Sequence, residues 1–490
     1  MKYILGIDIG TGSTKAVAVG KDHIAFESSQ YFYPTVSNEP GYSEQDPELI
    51  WKAFQDSIKA VIQSSGSPAA ISLSSAMHSV IAVDESGNAL APMMTWADNR
   101  GAGIADRLLS TALGPELYEI TGTPVHSMSP LCKIIWIKEH KPELFERTYK
   151  FISIKEYIWH KLFDSFEVDY AIGSCTGLMD VKNLVWSEQA LAAAGISDEQ
   201  LSKLVNTDYL RTGFKSLDFL DPGTSFVIGA SDGCLANLGT GAIKPGIGAL
   251  TIGTSGALRV ASEQSVLSKN AMTFSYRLDE KIFINGGPVS NGGIALKWHL
   301  KNILGKQELS GEDYEVELGK IDGLDADGLI FLPYLQGERA PIWDSKSCGT
   351  FFGVGLRHGA AHFTRAVVEG ICFALNDVLL ALEASGQRID QLNVSGGFVS
   401  SKVWLQILAD ITGKRLVLAA TEDASAIGAA YLAEKALGWS EGYAVRDLKG
   451  VLSIEPDVDR YRKYEVYFGL YKRLYLNLKG LMGELHNLKG

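Results

Sequence analysis

The chain is 490 residues long, 46% hydrophobic and 21% charged, with a formal net charge of −12; that length exceeds one hydrophobic core and predicts two domains, divided as residues 1–244 and 245–490. The acidic balance argues against a nucleic-acid or anionic-membrane surface, while backbone loops, a bound cation and a few local Lys or Arg still allow an anionic small ligand in a cleft. Five widely spaced cysteines with no Cys-x-x-Cys pair read as reduced thiols in a cytoplasm; Asp8 interrupts the opening apolar run, so no signal peptide is expected, and no apolar segment is long enough to span a bilayer.

Residues 3–8 predict a strand, 10–13 a turn and 15–19 a returning strand, a hairpin whose tip reads Gly-Thr-Gly-Ser-Thr-Lys. The tip lacks the third glycine of the dinucleotide fingerprint and the chain has no Gly-Lys-Ser/Thr, so neither the Rossmann nor the Walker pattern fits. Asp8 stands at the strand end, where a carboxylate faces bound phosphates through a magnesium ion and its waters or simply forms the turn. Asp46-Pro47 predicts a helix start, with Ile50, Phe54, Ile58 and Val61 as its buried face.

Residues 70–73 predict the next strand, running into Met77 and His78 at a ligand-facing edge; a lone histidine is otherwise structural. Residues 95–100 gather Trp96, Asp98, Asn99 and Arg100, a flat ring with donors and acceptors that suits a polyol, although Asp98 also reads as a helix N-cap. Residues 121–133 form a polar loop in which His126, Ser127 and Lys133 are candidates to meet hydroxyls or a carboxylate. A helix is expected over 151–163 and a small-residue edge near the cleft over 169–179.

Residues 226–256 organise the chain: a strand, a glycine-rich loop carrying Asp232, a small-residue segment, and a second strand ending in Gly-Thr-Ser-Gly. Backbone N–H groups in such loops approach phosphate oxygens closely, and one carboxylate beside such a cradle points to proton abstraction next to a phosphoryl group. Gly229 to Gly233 also matches the Gly-x-Ser-x-Gly elbow of hydrolases, with Ser231 as nucleophile and His299, His358 and His362 downstream. That reading leaves unexplained why Ile252-Gly253-Thr254 repeats Ile9-Gly10-Thr11, a match that predicts two duplicated halves clasping one ligand. A strand over 282–284 with glycine pairs after it, a long helix over 361–382, and a βαβα run over 392–437 follow, with Gly396-Gly397 between strand and helix where a nucleotide lies against backbone. The last helix, 457–486, is expected on the outside.

From GIDIGTGSTK through GASDGCLANLG, TIGTSG and SGGFVSSKVWLQILADITG to ASAIGAAYLA, the chain resembles the FGGY carbohydrate kinases of the actin-like superfamily. Within the family MHS, TWADNR and TGTPVHSMSPLCK are most similar to gluconokinases, with xylulokinases the runner-up. The resemblance implies an α/β fold of two actin-like ATPase (ribonuclease H-like) domains, each a five-stranded mixed sheet with helices on both faces, hinged over a cleft. It implies transfer of the γ-phosphate of ATP to a sugar acid, D-gluconate giving 6-phosphogluconate, with xylulose or another pentulose or polyol as the alternative acceptor. It implies Mg2+ as cofactor and admits a homodimer.

Residue by residue, the resemblance makes Asp232 the base, Thr11, Gly12, Ser13, Gly253 and Thr254 the phosphate contacts, and Asp8 the magnesium-linked carboxylate. Asn291, Gly396, Gly397 and Ser400 fall on the adenosine side; Met77, His78, Trp96, Asp98, Arg100, His126 and Lys133 fall on the sugar side. An alternative of another class is a non-catalytic switch that uses ATP to expose a partner surface; Asp232 kept together with both turns argues against it.

Overall fold

The computed structural model describes residues 2–268, 270, 272–419, 423–443 and 451–489. Two sheets carry it. The first runs Leu210–Arg211, Ser225–Ser231, Ala70–Ser75, Tyr3–Ile9, Ser13–Gly20, Ala25–Phe32; the second runs Phe274–Arg277, Phe283–Val289, Gly256–Ser262, Gly246–Ile252, Ile389–Ser395, Arg415–Leu418, Ser453–Ile454. Set aside one edge strand from the first and two from the second, and both share one topology. A hairpin pairs antiparallel, a third strand extends it, and two later strands add in parallel on the other side of the first. The expected five-stranded unit is therefore present twice, within sheets of six and seven strands.

Helix Pro47–Ser65 starts where the sequence predicts, with Asp46 accepting from Glu48 N and proline in its first turn. Its Ile50, Phe54 and Ile58 pack on Leu5 and Ile7 of one sheet face. In the second half the 25-residue helix Ala360–Ala384 buries Val367, Ile371 and Leu375 against Leu250, Ile252 and Leu258. The long last helix, Val458–Lys489, lies outside as expected and sends Tyr464, Phe468, Tyr471 and Tyr475 into that same core.

Residues 232–239 depart from the expected glycine-rich loop. They form a helix, Asp232–Gly239, because Ser231 caps it and its glycines let another backbone come close. That other backbone is helix Ala424–Ala436, expected to belong to the second half alone. Its Ala426 and Ile427 pack with Ile4, Val17 and Leu235 of the first half. A Cβ on Gly6 would stand 1.9 Å from Ala426 O, and one on Gly428 would stand 2.0 Å from Leu235 O, contacts that only glycine permits. The two helices form a layer shared by both halves.

Smaller departures have local causes. The strand expected over 282–284 continues as Phe283–Val289 through Gly286 and Gly287, because it is paired on both sides. Residues 150–152 belong to a strand, and the helix expected from 151 starts at Ile154 behind a Ser153–Glu156 capping box. The small-residue edge at 169–179 holds the short helix Tyr170–Ser174, capped by Asp169.

Candidate active site

Each sheet ends its first strand in a glycine turn, and the two turns are fixed from different sources. At the first, Gly10 N donates to Ser13 O over 3.0 Å. Tyr33 Oη donates to Gly10 O over 2.6 Å, Gln45 Nε2 donates to Thr11 O, and the Trp96 indole N–H donates to Thr11 Oγ1 over 2.9 Å. At the second, Gly253 N donates to Ser255 O over 2.9 Å. The N-terminus of helix Gly293–Trp298 then locks on from outside, Gly293 N to Gly253 O at 2.8 Å and Ile294 N to Thr254 O at 3.1 Å. A Cβ on Gly12, Gly253 or Gly397 would meet nothing within 4 Å, so open space faces backbone at all three.

Two cavities open there. One of about 290 Å3 lies between the halves, with Thr11, Met77, His78, Trp96 and Asp232 on the first-half side and Gly253, Arg259, Tyr276 and Arg339 on the other. The second, of about 550 Å3, belongs to the second half and is lined by Thr254, Tyr314, Gly397, Ser400 and Trp404. Gly253 lines both, so the cavities adjoin at the second turn.

Asp232 begins its helix at the end of strand Ser225–Ser231, where a bulge at Gly229 shifts the register against Ala70–Ser75. Its Oδ1 accepts from Gly233 N over 2.7 Å. Burial raises its pKa against the opposing charge of Arg259. Asp8, whose Oδ1 accepts from Ser74 Oγ over 2.7 Å, is pushed up to about 6 by burial and then by the charge of Asp232. Two carboxylates thus share a cleft of low dielectric.

His78 has a left-handed backbone, φ 66°, and its Nδ1 lies 2.8 Å from Cys175 O. A carbonyl only accepts, so Nδ1 carries the proton and Nε2 receives the Tyr276 hydroxyl at 3.5 Å. Burial, reinforced by the Lys133 charge, holds the ring neutral with a pKa of about 3.

Four residues expected at the sugar stand behind the cavity wall. Asp98 accepts from Ser43 N over 2.9 Å and from Arg100, and it caps no helix, since the next one begins at Ala102. Arg100 also reaches Glu44 over 2.6 Å and lies over the Tyr42 ring. Lys133 is fully buried and donates to His78 O and Thr95 O, both at 2.6 Å, tying together the two loops that carry His78 and Trp96. His126 accepts from Met128 N over 3.2 Å and tilts on Trp343.

Asn291 is likewise turned inward, donating to Gly337 O over 2.7 Å and to Glu338 Oε2 over 3.1 Å. Gly396, expected at the adenosine, has φ 104° and is packed on the strand behind the second turn, where a Cβ would stand 2.2 Å from Ile252 O. Ser13 Oγ accepts from Gln30 over 2.8 Å. Ser231 is buried with its Oγ on Cys234 N at 3.4 Å, a cap rather than an exposed nucleophile, which removes the hydrolase alternative.

The sequence reading missed Arg259, Phe274, Tyr276 and Arg339. Period-two alternation offered a signal for three of them: Ala257 and Arg259 share a strand face just beyond the turn, and so do Phe274 and Tyr276 on the edge strand. Arg339 comes from a loop with no such pattern.

Comparison with known proteins accords with this geometry. Residues 3–239 match the model for the FGGY family of carbohydrate kinases, N-terminal domain, and residues 248–437 match that family's C-terminal domain. A gluconokinase of Bacillus licheniformis is 41% identical over 465 residues, spanning 90% of this chain and 89% of that protein. A xylulose kinase of Bacillus subtilis (strain 168) is 28% identical over 503 residues, spanning all of both. The crystal structure of gluconate kinase from Lactobacillus acidophilus superposes with a TM-score of 0.92 at 33% identity, covering 99% of each chain. With both domain models matched in order across the two halves, the chain belongs to the FGGY family of carbohydrate kinases.

Proposed function

We propose that this protein is an ATP-dependent gluconokinase, with the acceptor in the cavity between the halves, ATP along the adjoining one, and Asp232 as the base. The observation that carries this is the junction at Gly253: the buried carboxylate of Asp232 and an open glycine turn line one cavity, and that turn continues into a second, larger one. The higher identity to a gluconokinase than to a xylulose kinase supports the acceptor.

A sugar hydroxyl is far too weak an acid to lose its proton before attack. Asp232, with its basicity raised by burial, takes that proton as the oxygen–phosphorus bond forms. Thr11, Gly12 and Ser13 on one turn and Gly253 and Thr254 on the other hold the phosphates, Gly396, Gly397, Ser400 and Asn291 shape the adenosine side, and closure of the halves brings attacking and leaving oxygens into line. Met77, His78 and Trp96 contact the acceptor, and Asp98, Arg100, His126 and Lys133 hold the loops that present them.

Asp8 and Asp232 fit a hard divalent cation, because they are two buried carboxylates that raise each other's charge cost and magnesium takes oxygen ligands. Among the described residues no three His, Cys, Asp or Glu side chains gather as a metal site, which accords with Mg2+ arriving with ATP and held by Asp8. Bound there, it neutralises charge on the phosphates. All five cysteines are free, and no described helix is long and apolar enough to cross a membrane; both accord with a cytoplasmic location.

Coupled ADP release across gluconate, xylulose and other sugars and sugar acids tests the reading. Turnover that depends on gluconate and Mg2+ is expected; turnover of xylulose alone overturns the acceptor, and ADP release indifferent to every acceptor overturns the kinase chemistry.

A further inference from the structure

The cavity between the halves holds two guanidinium groups, and they are engaged differently. Arg339 is occupied: its Nε donates to Ser290 Oγ over 3.2 Å, its Nη2 to Val289 O over 3.1 Å, and its charge lies 5.1 Å from the Trp96 ring centre. Arg259 is not. Among the described residues it makes no hydrogen bond or ion pair, and its buried Nε is without any partner. A buried guanidinium N–H without an acceptor is costly unless a ligand supplies one.

Its position says which part of a ligand it would meet. Strand Gly256–Ser262 leaves the second turn, and alternation puts Ala257 and Arg259 on one face, both lining the cavity. Arg259 is two residues, about 7 Å, farther from the turn than Ala257. Asp232 lies alongside: a Cβ on its neighbour Gly233 would stand 3.0 Å from Arg259 Nε and 3.1 Å from Met77 Cε. Phe274, Tyr276 and Met77 line the same cavity, and their low polarity strengthens any charge pairing there. A guanidinium on this wall is placed to meet an anionic group of a ligand that fills the cavity.

We propose that Arg259 binds the carboxylate of the acceptor and thereby selects sugar acids over neutral sugars of similar shape. The proposal rests on the sugar-acid reading of the site. A planar guanidinium pairs with a carboxylate through two parallel hydrogen bonds, which a ketone or hydroxyl cannot reproduce.

The test compares gluconate with its neutral amide, gluconamide, in the same protein sample, so that a change in folded fraction cancels from the ratio of kcat/KM. The unaltered enzyme is expected to prefer the acid on the order of 100-fold. Arg259→Met should bring the two within about threefold, and Arg259→Lys should fall between. Equilibrium binding of both acceptors gives the same ratio should turnover in a variant be too slow to read. A preference that survives Arg259→Met, with both acceptors slowed alike, overturns the subsite and makes Arg259 a positioning residue for Asp232. If the unaltered enzyme turns over xylulose and not gluconate, the sugar-acid reading itself has failed, and the subsite with it.

Discussion

The turn at residues 10–13 is held largely by side chains of its own half: Tyr33, Gln45 and Trp96 each reach into it. The turn at residues 253–256 is held by backbone, with the N-terminus of helix Gly293–Trp298 donating to its carbonyls and Gly396 pressed beneath the strand that leads into it. The same hairpin occurs twice, with side chains holding one turn and backbone holding the other. Trp96, which lines the cavity between the halves, hydrogen-bonds the first turn directly. That cavity wall is thereby tied to the first turn, whereas the second turn is tied to the backbone of helix Gly293–Trp298.

The largest expected effect does not distinguish the turns but tests what they serve. Asp232→Asn should lower kcat by about 1,000-fold or more while the KM for ATP stays within a few-fold, measured by coupled ADP release. Unchanged turnover would remove Asp232 from the chemistry.

Gly396→Ala probes the backbone-held turn. A Cβ at φ 104° and 2.2 Å from Ile252 O should cost about 3 kcal/mol in denaturant unfolding, from strain and overpacking together. Gly12→Ala, whose Cβ meets nothing, should change stability by less than about 0.5 kcal/mol and act instead by raising the KM for ATP. Equal losses in the two would end the contrast.

Asp8 gives a pH signature on the first turn. Its folded pKa of about 6 lies above the ordinary carboxylate range, so the protonated form is favoured by folding. The contribution is complete below about pH 4 and is lost as pH rises through about 6, amounting to about 3 kcal/mol. Stability measured from pH 4 to 7 should fall in the unaltered protein relative to Asp8→Asn, and Mg2+ with ATP should flatten the difference. A parallel pair of curves would contradict it.

The smallest pair is the sharpest. Thr11→Ala removes the Trp96 bond and should raise the acceptor KM by about tenfold and that for ATP by only about twofold, and Thr254→Ala should raise the KM for ATP by a few-fold with little change for the acceptor. Identical profiles would mean that the turns are interchangeable.

Much of this arrangement is legible in the chain alone. The hairpins, the Asp46-Pro47 helix start, the helix Lys402–Thr412 and the strand Arg415–Leu418 follow from local pattern. So do the cavity positions of Thr11, Met77, His78, Trp96 and Asp232. The departures come where distant segments decide. Residues 232–239 look like a loop until a second glycine-bearing helix crosses them, and Gly286-Gly287 looks like a strand end until both neighbours pair with it. Lys133 and Arg100 carry the right chemistry for a sugar, but their partners are Thr95 O and His78 O in one case and Asp98 and Glu44 in the other, which no local spacing announces. Arg259 is marked in the sequence only by its alternation with Ala257, because a single cation in a strand forms no motif.

The layer formed by helices Asp232–Gly239 and Ala424–Ala436 bears on how this protein can be taken apart. Ala426 lies against Gly6, so the last part of the second half completes the underside of the strand with which the chain begins. A fragment ending at residue 244 would leave Ile4, Val17 and Val227 bare on that side, and it would associate with the missing piece or precipitate rather than persist as an independent module. Synthesis of the whole polypeptide must precede a finished amino-terminal half.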